Sequence, residues 1–93
     1  SNANALIGNE KNTNDKYCYA KEGEVYLVYL TKGGTSDLDL TDAEGRLSVR
    51  WFNPRDGRKL LKGSVKRVNA GSKISIGNPP TDVNEDWLAV IRK

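Results

Sequence analysis

Asp37, Asp39, Asp42 and Glu44 crowd into one short stretch. Hydrolysis of a glycosidic bond needs two carboxyls roughly 5–10 Å apart, one of them holding its proton near neutral pH. That proton is kept by desolvation or by a like charge close at hand. Asp37 and Asp39 alternate with Leu38 and Leu40, so they project from the solvent face of a strand, where neither condition holds. The 93-residue chain contains no histidine, which excludes Ser-His-Asp and Cys-His machinery and any imidazole metal ligand. Its single cysteine, Cys18, can form neither an internal disulfide nor a thiolate zinc cage, and between Tyr17 and Tyr19 it reads as a small buried hydrophobe. Asp82, Asn84 and Asp86 have the 1, 3, 5 spacing of a calcium loop. Trp87 then stands where that loop needs glycine, and Lys93 where it needs glutamate. Asp82 is instead expected to cap a turn and Asp86 to open a strand. No catalytic residue, metal or cofactor is expected.

Binding chemistry is better represented. Arg55, Arg58, Lys59, Lys62, Lys66 and Arg67 form a basic run in a chain of formal charge +3. No aromatic stacking code is interleaved with it, so it reads as a solvated edge, and no nucleic-acid partner is expected. Tyr17, Tyr19, Tyr26, Tyr29, Trp51, Phe52 and Trp87 could supply a platform for a sugar ring or a proline-rich chain. Trp51 and Trp87 share the apolar phase of their strands and are assigned to the core. Tyr26 and Phe52 lie on the opposite phase and, with Arg50, are the candidate binding residues.

These side chains need strands to present them. Residues 1–3, Ser-Asn-Ala, have the form of an affinity-tag remnant, and residues 4–16 are polar and Asn-rich, as in a linker or N-terminal tail that lays Leu6 and Ile7 on the domain. From Tyr17 to Lys93, β-branched and aromatic runs alternate with Gly, Asn, Asp and Pro clusters every 8–12 residues or so. Strands are predicted over 17–20, 24–30, 35–40, 46–53, 58–61, 64–68, 72–76 and 86–92. The motif Asn53-Pro54-Arg55-Asp56-Gly57 is predicted to make a type I turn with a bulge, Gly57 taking the positive φ. No stretch repeats apolar residues at helical spacing, and no apolar run approaches the roughly 18–20 residues that span a bilayer. The prediction is all-β: one antiparallel β-sandwich of about 7–8 short strands. Its inner face is expected to hold Val25, Leu27, Tyr29, Leu38, Leu40, Leu47, Val49, Trp51, Ile74, Ile76, Trp87, Ala89 and Ile91.

The stretch Arg50-Trp51-Phe52-Asn53-Pro54-Arg55-Asp56-Gly57 is distinctive, as are Val25-Tyr26-Leu27-Val28-Tyr29-Leu30 and the closing Trp87-Leu88-Ala89-Val90-Ile91-Arg92. With them the chain resembles, over nearly all of residues 17–93, the module named the putative collagen-binding domain of a collagenase. That resemblance implies a non-catalytic C-terminal β-sandwich, accessory to an apiosidase-like (β/α)-barrel glycoside hydrolase of a secreted or periplasmic bacterial protein. The implied partners are the protein's own N-terminal catalytic barrel and a polysaccharide or collagen-like polymer, with no membrane. A carbohydrate-binding module and a purely structural domain packed on the barrel are the rival expectations. The shared residues also suggest Trp51 as a core anchor, and Arg50 paired with an acid across the sheet.

Overall fold

Alternation such as Leu47-Ser48-Val49-Arg50-Trp51 sends every second side chain to one side of the backbone, so one face becomes dry and the other polar. In the computed structural model, which describes residues 1–9, 11 and 15–93, such segments become β1 (Lys16–Lys21), β2 (Val25–Leu30), β3 (Asp37–Asp39), β4 (Arg46–Phe52), β5 (Arg67–Asn69), β6 (Lys73–Ser75) and β7 (Trp87–Arg92). Five of them form an antiparallel sheet in the order β1-β2-β7-β4-β5, and β3 and β6 form a separate ribbon. Leu38, Leu40 and Ile76 from the ribbon and its flanks join Val28, Leu47, Val49, Trp51, Trp87 and Ile91 of the sheet in one core. The least extent of the molecule, 19 Å, suits two layers about 10 Å apart with their outward side chains. The all-β, antiparallel expectation holds.

Two strand predictions need correction. Residues 58–61 form no strand; only Leu61 bridges to Trp51, through paired backbone bonds of 2.7 and 2.8 Å. Arg58 and Lys59 are exposed and Leu60 stays 43% exposed, so Leu61 alone of that stretch packs against the core. The fifth strand is also displaced from 64–68 to Arg67–Asn69, because Val68, at 7% exposure, is the residue that reaches the core.

The inner phase of β2 is the reverse of the expected one. Tyr26, Val28 and Leu30 are buried, while Val25 and Tyr29 are half-exposed and Leu27 is exposed. Register explains why. Residues paired across strands share a face, and Tyr26, Val28 and Leu30 pair with Ile91, Ala89 and Trp87. Cys18 and Ala20 of β1 continue the same inner rows. Ile74 is half-buried rather than fully inside.

The N-terminal segment is packed against β1. A 3-10 turn over Asn4–Ile7 buries Ile7 to 4% exposure, with Leu6 partly buried beside it. Residues 1–3 run antiparallel to β1: Ala3 N–H donates to Cys18 O (2.8 Å) and Ala20 N–H to Ser1 O (2.9 Å). Cys18 N–H donates to Asn4 Oδ1 at 2.7 Å, and Asn9 Nδ2 donates to Lys16 O at 2.6 Å. The edge of β1 is thereby satisfied by its own chain. The rest of the expected tail, residues 10 and 12–14, lies outside the described residues.

Candidate functional site

The outer face of the five-stranded sheet is laid out in three rows by strand register. The first row crosses the sheet as Tyr17, Tyr29, Leu88 and Phe52. The second is Tyr19, Leu27, Val90 and Arg50, and the third is Lys21, Val25, Arg92, Ser48 and Arg67. Neighbouring rows are two residues apart along the strands, roughly 7 Å, and strands are about 4.8 Å apart. Aromatic and aliphatic side chains thus occupy two rows at one end, and positive charge gathers in the third.

Part of this apolar end is open, while Val90 at its centre is buried. Tyr19 is 59% exposed, and Tyr17 and Leu27 are each 37% exposed. Tyr29, Leu88 and Phe52 are half-buried beside them. Tyr17, Tyr19, Leu27, Tyr29 and Leu88 line a shallow groove of about 590 Å³, whose flank is formed by Asn2 and Asn4. Apolar rings set beside hydrogen-bonding amides can stack on a ring-bearing polymer while holding its polar groups.

One end of the face is fixed by a charged latch. Tyr29 Oη donates to Asp86 Oδ2 at 3.0 Å, and Arg55 Nη1 donates to Asp86 Oδ1 at 2.7 Å and to the Asp86 carbonyl. The Arg55 guanidinium also lies 5.2 Å from the centre of the Trp87 ring and 3.9 Å from an Asp82 oxygen. Its position follows from the turn at 53–57, where Asn53 Oδ1 accepts the Arg55 N–H and Gly57, at φ 62°, bonds back to Asn53 O. The hydrogen bond from Arg55 holds the Asp86 carboxyl below its ordinary range, against desolvation and with a smaller contribution from Tyr29. Its own hydrogen bond to Asp86 raises the Tyr29 phenol. The paired Asp82 and Asp86, read as calcium-loop positions, therefore face a guanidinium, and no group of three metal-ligating side chains occurs among the described residues.

Of the expected binding residues, Phe52 and Arg50 sit on this face and Tyr26 does not. Tyr26 is 2% exposed, packed in the core with its Oη accepting Gly23 N–H at 2.8 Å, so its ring is closed to a ligand. The cause is the reversed phase of β2. Arg50 faces no acid across the sheet: its neighbour is Val90, and Nη1 donates to the carbonyls of Val49 (2.8 Å) and Lys66 (3.0 Å). Tyr17, Tyr19 and Tyr29 belong to the aromatic set, yet sequence alone did not single them out. Alternation about Cys18 would have placed Tyr17 and Tyr19 outward; Tyr29 needed the register with β7.

The carboxylates that opened the chemical question stay solvated. Asp37 is exposed, and Asp39 Oδ1 accepts the Thr41 N–H at 3.0 Å and its hydroxyl at 2.5 Å. Those bonds, the hydroxyl foremost, hold Asp39 below its ordinary range, the opposite of what a general acid requires.

The model of one family, described as "Putative collagen-binding domain of a collagenase", matches residues 3–92. No curated protein and no solved structure matches the chain.

Proposed function

The chain belongs to that collagen-binding domain family, a family of binding modules, and from this premise we propose that it is a non-catalytic accessory module that holds a secreted bacterial glycoside hydrolase on an extended polymer. Its ligand face is the outer side of the five-stranded sheet. The observation that carries this reading is the uncovered cluster of Tyr17, Tyr19 and Tyr29 beside Leu27 and Leu88. Contiguous apolar surface left open on a small domain marks an interaction site, and tyrosine supplies stacking area at small entropic cost. In the host, the module follows a catalytic (β/α)-barrel and acts outside the cytoplasm; the polymer is a polysaccharide or a collagen-like chain.

Retention of the 93-residue chain on immobilised polysaccharides and on triple-helical collagen tests the proposal. Binding to one of them, weakened at least about tenfold by the double substitution Tyr17→Ala and Tyr19→Ala, is expected, since aromatic anchors each carry about 1–2 kcal/mol or more. No retention on any polymer would refute it.

The aliphatic centre formed by Leu27 and Leu88 favours a second reading, in which the same face packs on the host's catalytic barrel. In that case Leu27→Asp would lower the unfolding temperature of the intact two-domain enzyme and leave that of the isolated module unchanged.

A further inference from the structure

We infer that the polymer taken by this face is an acidic polysaccharide, its sugar rings lying on the tyrosine rows and its carboxylates on an arginine cluster around Ser48. The inference rests on the binding role proposed above and adds the chemical class of the ligand.

Register places Arg92 and Arg67 on either side of Ser48 in one row, so their backbones stand two strand spacings apart, about 10 Å. Arg50 lies on the same face, two residues further along β4. Both Arg92 and Arg67 are exposed. Among the described residues, no carboxylate lies within ion-pair distance of Arg50, Arg67 or Arg92, whereas Lys21 and Lys32 each have one and Arg55 has two. The Ser48 hydroxyl between them donates to Arg92 O at 3.2 Å. Like charges gathered on neighbouring strands repel, so this cluster carries a folding cost that an anionic partner would relieve. Guanidinium groups match carboxylates in planar, two-point geometry, which favours uronate groups over neutral hydroxyls.

The arginines adjoin the aromatic rows directly. Arg50 shares a row with Tyr19 and Leu27, and Arg92 follows Val90 and Leu88 along β7. The only carboxylate on that face of β7, Asp86, stands at the far end and is held by Arg55 and Tyr29. A ligand lying across the face therefore meets stacking surface at one side and unneutralised positive charge at the other. A neutral glycan would use only the first. A triple helix, whose acidic and basic side chains are mixed, would use the second poorly.

The test compares one backbone in two charge states: polygalacturonate and its methyl ester, each immobilised, with binding of the 93-residue chain measured by surface plasmon resonance at low and high salt. Polygalacturonate is expected to bind about tenfold more tightly at low salt, the advantage shrinking as salt rises. In the double variant Arg67→Ser with Arg92→Ser, the ratio should fall to about one with binding to the ester retained. The control pair Lys59→Ser with Lys62→Ser removes equal charge and should keep the ratio. Equal binding of both polymers, or a ratio that follows net charge in both variants, would overturn the acidic ligand and leave the polymer-binding role intact. Tighter binding of single-stranded DNA or of a triple-helical peptide than of polygalacturonate would overturn it in favour of that partner. Absence of binding to every polymer would overturn the binding role as well.

Discussion

Asp86 is the residue at which the site and the stability of the fold meet. Its folded pKa lies below the unfolded one because Arg55, foremost, and Tyr29 favour the charged form. The stability this contributes is therefore present above the ordinary carboxylate pKa and is lost as pH falls through the lower, folded value. Asp39, held down by Thr41, contributes in the same direction. Asp86→Asn should thus be less stable than the parent at neutral pH and lose less on acidification, the two converging in acid; urea midpoints between neutral and acid pH measure this. Cys18 gives the opposite sign. Burial, foremost, and Glu22 push its thiol up to about 11, so the folded state favours the neutral form and loses that advantage as pH rises above the ordinary thiol value. At mildly alkaline pH Cys18 should stay unreactive toward a disulfide reagent in the native protein and react at once in denaturant. Rapid native labelling would show that its strand opens.

At the scale of elements, the sequence was most legible where one face was plainly apolar. The inward sets Leu47, Val49, Trp51 and Trp87, Ala89, Ile91 stand as their alternation indicated. Alternation could not decide β2, because Val25, Leu27, Tyr29 and Tyr26, Val28, Leu30 are equally apolar sets. Only the partners on β1 and β7 choose between them. That one ambiguity moved Tyr26 out of the site and brought Tyr29 and Leu27 in. The 3-10 turn at Asn4–Ile7 was illegible for another reason: a short polar segment with one bulky pair has no period to detect, and tertiary contact alone fixes it. Deleting residues 1–9 should cost on the order of 2–3 kcal/mol from the loss of Ile7 burial alone. It would also strip the partners from the edge of β1, so concentration-dependent self-association is expected by analytical ultracentrifugation; a stable monomer would contradict the edge-capping role.

Two glycines separate backbone freedom from close approach. Gly57 closes the 53–57 turn at φ 62° with open space where a Cβ would stand. Gly33, at φ 74°, has the carbonyl oxygens of Val83 and Glu85 against that position, the second at 2.7 Å. Gly57→Ala is expected to cost about 1 kcal/mol. Gly33→Ala should cost at least about 2 kcal/mol, because the clash is with backbone that also accepts the Gly34 N–H at 2.8 Å. Chemical denaturation of the two variants checks the order.

For the molecule as a whole, one sheet surface does two jobs. Its inner side closes over Trp51 and Trp87, set edge to face at 6.3 Å between ring centres. Its outer side displays tyrosines and unpaired arginines, and the ribbon of β3 and β6 covers only the inner side. Composition could say that the chain lacks histidine; it could not say which side of the sheet would remain open, since that follows from the order β1-β2-β7-β4-β5 and its register. The most direct measurement is an amide chemical-shift titration of the isotopically labelled chain with oligomers of whichever polymer retains it. Saturable shifts confined to the five-stranded sheet, β1, β2, β7, β4 and β5, strongest about Tyr17, Tyr19, Tyr29 and Leu88, are expected. Shifts centred on β3 and β6, with the tyrosine-bearing rows unmoved, would contradict the account.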